Sequence, residues 1–525
     1  MAALHCPNPE CPFLKKFNAP AEYREGFSTC SDCGSALAAG GAPALAPAVA
    51  SAQPSAELTV ALPRTEGAAE DFMRRVAISL AALIASALSH LVLLPGLDPF
   101  ILESYEQIGM PVGSDLPFNV FSLGLNPMMS AFAIIELAAL VIPPWRRWRT
   151  GGPRERARLR SATLLLGLGF ALFQSFGMTQ YYLDFNYEGR TLFSGPDALP
   201  MPVIALVLVG GVVVLHLLAV LVDKAGLGNG YAVVLLGLVL PGVSGTLSQL
   251  LRAAQAETLS TAELVLMVLG FAVIAWGAAR MLRGSLPGLG TSTEQPRRLP
   301  IPASGIAPLA IAGGMVTLPA LLANFLDLSV LSEATRFLEG SALVYTVTYF
   351  VLLTLLTAGL SVLFYRPRHV GDVWAGLTAK ASDERSVVHG RAAMRAAALL
   401  PNTAAWSLAF LTLAWLPPHL AQSLVAIPFP SAVTLLLGVA IVLDLLDEAR
   451  MRRAGTWVSA WPVHRVYEVE PALVALSAAG IPAWARGQYA RATMQFFAPY
   501  FPIELMVPAN RAEEARALIE KSRQP

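Results

Sequence analysis

Charge is what this chain has least of. Asp, Glu, Lys and Arg make up 14% of its 525 residues, against 55% hydrophobic residues and a mean hydropathy of +0.56. A water-soluble fold of this length could not bury so much apolar surface, so the class is integral membrane protein. A formal net charge of +1 leaves no basic excess and implies no nucleic-acid partner. Cysteine is nearly absent, and all four copies lie within the first 33 residues, so no disulfide framework holds the apolar body. The first 70 residues contain no apolar h-region, which excludes a cleavable signal peptide there and leaves the first span to act as its own signal. Catalytic constellations are missing too. There is no HExxH, no phosphate loop and no Ser/His/Asp grouping, so an enzyme is not expected.

What is present falls into four parts. Residues 1–34 carry Cys6-x4-Cys11 and Cys30-x2-Cys33. Two thiolate pairs in so short a module suit a closed, structural, tetrahedral Zn2+ site of zinc-ribbon type, implying docking and not catalysis. The alternative is four unrelated thiols in a tail; His5 reads as solvated. Residues 35–70 are rich in Ala and Pro and read as a linker. Residues 71–453 hold ten apolar segments, each near the roughly 20 residues that a ~30 Å hydrocarbon core requires. They lie near 73–94, 118–142, 160–183, 200–222, 230–250, 262–282, 304–326, 341–364, 395–417 and 426–448. Residues 454–525 change character again.

Arginine sets the orientation. Arg146, Arg147, Arg149, Arg154, Arg156, Arg158 and Arg160 follow the second segment, and further basic clusters fall on the same side if ten spans alternate. The opposite loops hold Asp98, Glu103, Glu106, Asp115, Asp184 and Glu188 instead. The positive-inside rule then places both termini in the cytoplasm.

Between the fourth and fifth segments, residues 223–231 read DKAGLGNGY. Two charges and then three glycines suit neither a membrane helix nor a random linker. Gly226, Gly228 and Gly230 allow a tight reversal just outside the hydrocarbon and fix the start of the next span at Tyr231. This run resembles the turn opening the fifth span of SecY, the bacterial protein-translocation channel. Further stretches resemble the same family in order: HLVLLPGLDP (90–99), FSLGLNPMMSAFAIIEL (121–137), LLGLGFALFQSFGM (165–178), SGIAPLAIAGGMVTLP (304–319) and SAVTLLLGVAIVLDLLDEARMRR (431–453), with Asp444 near its end. The resemblance implies an all-α polytopic fold of ten transmembrane helices in two inverted five-helix halves, with a pore at their interface. It also implies a bacterial inner-membrane location, an unfolded polypeptide as substrate, and small subunits like SecE and SecG.

In that family six apolar side chains form a constriction that gates by dewetting. Carried over motif by motif, the ring would be Met129, Ala133, Tyr231, Leu235, Ala310 and Leu437. At each position simple helix packing is the alternative. Glu136, an ionisable residue within the second span, falls on the family's lateral-gate helix, where Thr317 or Asn324 could partner it; a protonated or solvated glutamate is the other reading. His216 reads as a helix–helix hydrogen bond. Three departures stand out: segment 98–118 leaves room only for a short plug helix or none, loop 366–395 lacks the family's Ile-Pro-Gly-x-Arg-Pro-Gly motif, and loop 283–303 is reduced. In the family those two loops dock the ribosome and the SecA motor, so that docking is in doubt here.

The last part reads as a small cytoplasmic α+β domain of order βαββα. Strands are expected at VHRVYEV, IPAWARG and FPIELMVP, with helices at PALVALSAAG and NRAEEARALIEK. It resembles a small bacterial domain associated with signal transduction, which points to docking or regulation. Two functions from different classes remain: a SecY-like channel for polypeptide translocation or insertion, and a non-conducting membrane scaffold on the same fold. A small-solute transporter is a third, disfavoured by the scarcity of intramembrane charge.

Overall fold

The computed structural model describes residues 68–101, 103, 118–150, 153–187, 189–193, 199–256, 260–283, 302–326, 330, 333, 335–337, 341–379, 382–425, 432–495 and 501–523, with scattered positions before residue 40. The chain divides into two compact units, Met1–Leu58 and Thr59–Pro525. In the first, β1 (Leu4–His5) pairs antiparallel with both β2 (Glu22–Tyr23) and β3 (Ala38–Ala39). A further antiparallel bridge, Thr29 to Ala36, brackets Cys30 and Cys33.

The second unit is mostly helical. Its helices are α1 (Ala68–Leu88), α2 (Asn126–Val141), α3 (Pro143–Thr150), α4 (Pro153–Asp184), α5 (Met201–Ala225), α6 (Gly230–Gln255) and α7 (Thr261–Arg283). A two-stranded turn, β4 (Asn186–Tyr187) with β5 (Arg190–Thr191), separates α4 from α5. Then come α8 (Ala307–Leu326), α9 (Ala342–Phe364), α10 (Pro367–Thr378), α11 (Ser382–Val425) and α12 (Ala432–Ala454). Proline opens several of these, within the first two positions of α2, α5 and α10, where its missing N–H costs nothing. Helices lie over all ten apolar segments. Among the described residues, seven helical stretches are long and apolar enough to cross a membrane, and α2, α8 and α12 cover the other three segments.

Packing follows chain order within each half. α1 lies on α5 and α6, α2 on α4, α4 on α5, and α5 on α6; then α8 lies on α9 and α9 on α11. Helix α12 is the shared element, touching α1, α6, α7 and α11. A large apolar cluster, with Phe132, Tyr231, Leu353 and Ile441 among its buried members, runs through the whole bundle.

The C-terminal domain holds β6 (Trp457–Val463), α13 (Val469–Ala478), β7 (Trp484–Arg486), α14 (Gln488–Thr493), β8 (Ile503–Pro508) and α15 (Ala512–Arg523). Its antiparallel sheet has the order β6-β8-β7, with a bulge between Ser459 and Trp461. The sheet and helices enclose a separate core that includes Val463, Leu476, Ile503, Leu505 and Ile519.

Two details differ from the sequence expectation. The first strand lies upstream of VHRVYEV, because 457–463 pairs along the whole of β8. The alternation in VHRVYEV serves another purpose: Arg465 and Tyr467 face the helix bundle. A short helix, α14, also interrupts the expected pair of strands, so the order is βαβαβα. The loop 366–395 is likewise structured. Helix α10 packs on the start of α11, and Trp374 is buried between them with Val370, Ala392 and Ala396, beneath Tyr467 and Val474 of the C-terminal domain.

The α5–α6 turn requires glycine at residue 230, where an added Cβ would sit 1.8 Å from the Ala219 carbonyl oxygen. Gly230→Ala must push α5 and α6 apart. The expected result is a loss of at least about 1–3 kcal/mol, the scale of an overpacked core, measured as a lower midpoint of denaturant-induced unfolding in micelles.

Candidate functional site

Arg160, Arg283 and Arg452 lie at the end of the bundle where the C-terminal domain meets the helices. Three sets of contacts build this seat. The first centres on Glu448 of α12, whose carboxylate is fully buried. Arg452 Nε donates to its Oε1 at 2.6 Å, one helical turn away, and Arg486 Nε donates to its Oε2 at 2.8 Å from β7. The Gly228 N–H donates to the same Oε2 at 2.8 Å, while Arg486 Nη2 donates to the Gly228 carbonyl at 2.6 Å. Arg486 Nη1 reaches Glu504 of β8 at 3.0 Å. Gly228 has φ +83°, and a Cβ there would meet Leu445 Cδ2 at 2.5 Å, so only glycine presents both backbone groups to the ion pair. The turn is finished by Asp223, which accepts from the Gly230 N–H at 2.7 Å, and by Asn229, which caps α6 through the Ala232 N–H at 3.1 Å. Burial alone would lower the Arg486 pKa; the Glu448 and Glu504 carboxylates reverse that and hold it above the ordinary arginine value.

The second set centres on Glu136 of α2, also fully buried. Arg465 Nη2 lies 3.3 Å from its Oε1 and His464 Nε2 lies 3.9 Å away, both from the C-terminal domain. Arg491 adds a second guanidinium charge nearby. Its guanidinium donates to the carbonyls of Met494 (3.0 Å), Gln495 and His464 (3.2 Å), which ties the domain's own loops together. Burial pulls the Arg491 pKa down to about 10, against the opposing effect of Glu136.

The third set is a seam of backbone contacts. Asp444 accepts from the N–H groups of Tyr489 (3.1 Å) and Ala490 (2.7 Å). The Ile306 N–H donates to the Thr493 carbonyl at 2.8 Å, and Gln495 Nε2 donates to the Ala303 carbonyl at 2.8 Å and lies 3.3 Å from the Tyr365 hydroxyl. Inside this polar frame the contact is apolar. Phe501 packs on Tyr231, ring centroids 6.2 Å apart, and Tyr231 also meets Phe132 edge-on at 5.2 Å. His216 of α5 hydrogen-bonds the Tyr231 hydroxyl, joining α5 to α6. Beside the Glu448 network a cavity of about 420 Å³ opens between Arg160, His216, Lys224, Asn229, Arg486 and Glu504.

Of the six residues carried over as a ring, Tyr231 and Leu437 are buried members of the central apolar cluster, and Met129 and Leu235 pack against it. Ala133 packs instead against a second cluster that includes Ala303, Phe364 and Leu399, and Ala310 is exposed. The ionic partners of Glu136 come from the C-terminal domain; the side chains of Thr317 and Asn324, offered above as its partners across a gate, lie outside the described residues. The plug expectation falls largely on 104–117, also outside them. Of the four thiols, Cys30 is buried and Cys33 partly so, while Cys6 and Cys11 are not described. Among the described residues no three His, Cys, Asp or Glu side chains group as a metal site. Sequence reasoning missed Glu448, Arg486, Arg465, Arg491 and Gln495. Glu448 and Arg452 do stand four apart, but that spacing on a helix ordinarily marks a solvated pair.

Glu136→Gln removes the buried carboxylate that faces Arg465 and Arg491. Breaking a buried pair this way costs about 3–5 kcal/mol. The expected outcome is faster amide exchange across 464–468 and 489–495 with the rest of the bundle unchanged.

The SecY family model matches residues 119–446. The SecY subunit of the protein translocase of Bacillus licheniformis is 24% identical over 288 residues, 49% of this chain and 65% of that protein. The chain thus spans just under two thirds of that relative. The SecY subunit of Synechococcus elongatus is 23% identical over 348 residues, 59% of this chain and 78% of that one. Among solved structures, a protein-conducting channel aligns with a TM-score of 0.46 at 13% identity, covering 73% of this chain and 93% of its own.

Proposed function

The chain belongs to the SecY family, and from that premise we propose that it is a ten-span channel of a bacterial inner membrane, through which unfolded polypeptide crosses or partitions sideways into lipid. The family is one of translocation channels and not of enzymes. The observation that supports the reading is that Met129, Tyr231, Leu235 and Leu437 all belong to or pack against the large apolar cluster of the bundle. Apolar side chains lining a pore exclude water and ions and yield around a passing chain. The positive-inside rule supports placing the arginine-rich end, and with it the C-terminal domain, in the cytoplasm. Small subunits of the SecE and SecG kind belong to the same proposal.

A second reading, a membrane scaffold that no longer conducts, is favoured by one specific observation. The C-terminal domain covers the helical hairpin of α10 and α11 and fills the space against Tyr231.

A photo-crosslinking residue in place of Leu235 distinguishes the two in cells. The channel reading expects adducts with translocating polypeptides, lost when the probe is moved to Leu266, an exposed position on α7. Their absence from abundant, folded protein would establish the scaffold instead.

For the N-terminal unit we propose a structural Zn2+ site of Cys6, Cys11, Cys30 and Cys33. Support comes from the bridge between Thr29 and Ala36, which folds the Cys30–Cys33 pair into a tight reversal with Cys30 turned inward. Purified protein is expected to hold about one zinc per chain, and Cys30→Ser to lose it, measured by elemental analysis. Equal zinc content in both would remove the site.

A further inference from the structure

The C-terminal domain does more than lie against the bundle. Ala490, Met494 and Phe501 are buried members of the central apolar cluster, the same one that holds Tyr231 and Leu437 and that Met129 and Leu235 pack against. We propose that this domain is a displaceable cap, and that its Ala490–Met494–Phe501 edge occupies in cis the place of an apolar segment of client polypeptide. On this proposal, which rests on the channel reading above, domain and client compete for one apolar surface, and the channel is closed while the domain holds it.

Three features mark a seat that can be left. The domain has a buried cluster built from β6, β8, α13 and α15, against which Leu377 of α10 also packs, and this cluster moves with it. The rim around the apolar contact is polar: the bonds that Asp444 accepts from Ala490, that Gln495 donates to Ala303 and that Ile306 donates to Thr493 exchange for water on opening at little net cost each. The guanidinium of Arg491 bonds carbonyls within the domain and departs with it. Geometry also fixes the motion. Only residues 455 and 456 separate α12 from β6, and Trp457 Nε1 donates to the Met451 carbonyl at 2.8 Å, so the domain swings about the end of α12. The Glu448–Arg486 pair is the latch across that hinge.

The apparent affinity for a client is its intrinsic affinity multiplied by the fraction of uncapped molecules, so weakening the latch must tighten client binding. The test uses the full chain in nanodiscs with a photoreactive residue at position 235. The probe is a synthetic apolar Leu/Ala helix with lysine ends. Crosslinking yield reports binding, and amide exchange at 489–495 reports the cap. In Arg486→Gln, half-maximal crosslinking is expected at a roughly tenfold lower peptide concentration, and in the parent protein saturating peptide should accelerate exchange at 489–495. Gln495→Ala, which leaves both ion-pair clusters intact, is expected to act in the same direction if Arg486→Gln fails to fold. Equal peptide affinity in parent and variants, with 489–495 still protected, overturns the cap and leaves the channel reading standing. No crosslinking in any variant, with 489–495 shown by exchange to be released, overturns the channel reading and the cap with it.

Discussion

The carboxylate of Glu448 is the constraint around which this molecule is arranged. Removing such a group from water costs several kcal/mol, and burial is tolerated only when every lone pair finds a donor. Arg452 comes from the same helix, Arg486 from the C-terminal sheet and the Gly228 N–H from the turn before α6. No two of these elements are neighbours in sequence except Glu448 and Arg452. One buried charge therefore fixes the position of α12, of the α5–α6 turn and of the appended domain at once. Tyr231 follows three residues after Gly228, so its place against Phe501 of the C-terminal domain is inherited from the same contact.

A second buried carboxylate, Glu136, also meets the C-terminal domain. There the membrane helix supplies the carboxylate and the domain supplies the Arg465 and Arg491 guanidiniums and the His464 imidazole. Two such pairings set the register and orientation of the domain, since a misplaced seat would leave a charge unpaired in a dry environment. Energy comes mainly from the apolar surface between them, where Phe501 and Met494 join the cluster around Tyr231. Specificity and attachment thus rest on different residues.

The family match ends at residue 446, so Glu448 and the whole C-terminal domain lie beyond it. What lies beyond has nonetheless become part of how the helix bundle ends. Segment 366–395, a loop by its sequence, holds α10 packed on the start of α11, with Trp374 buried at their crossing and α13 and α15 lying on α10. One end of this SecY-family body is thus covered by its own chain.

The helix bundle was legible before any coordinates, and for a simple reason. A span must be apolar over roughly 20 residues and satisfy its own backbone, so composition alone locates it. The glycine turn was legible because φ +83° at residue 228 leaves the residue type no freedom. The C-terminal sheet was legible in outline, through alternation, and misplaced at its first strand because alternation does not say what a residue alternates toward. Long-range pairing left no such trace. Glu448 looks like a charge at a helix end, Glu136 like a gate residue, and Arg486 like any arginine in a short strand. The sequence by itself determined that this protein lies in a membrane as a helical bundle of a known family, because hydrophobicity and backbone conformation are local properties. Only the tertiary structure decided that the bundle's basic end is covered by its own last domain, because that depends on charges 38 to 329 residues apart meeting where water is excluded.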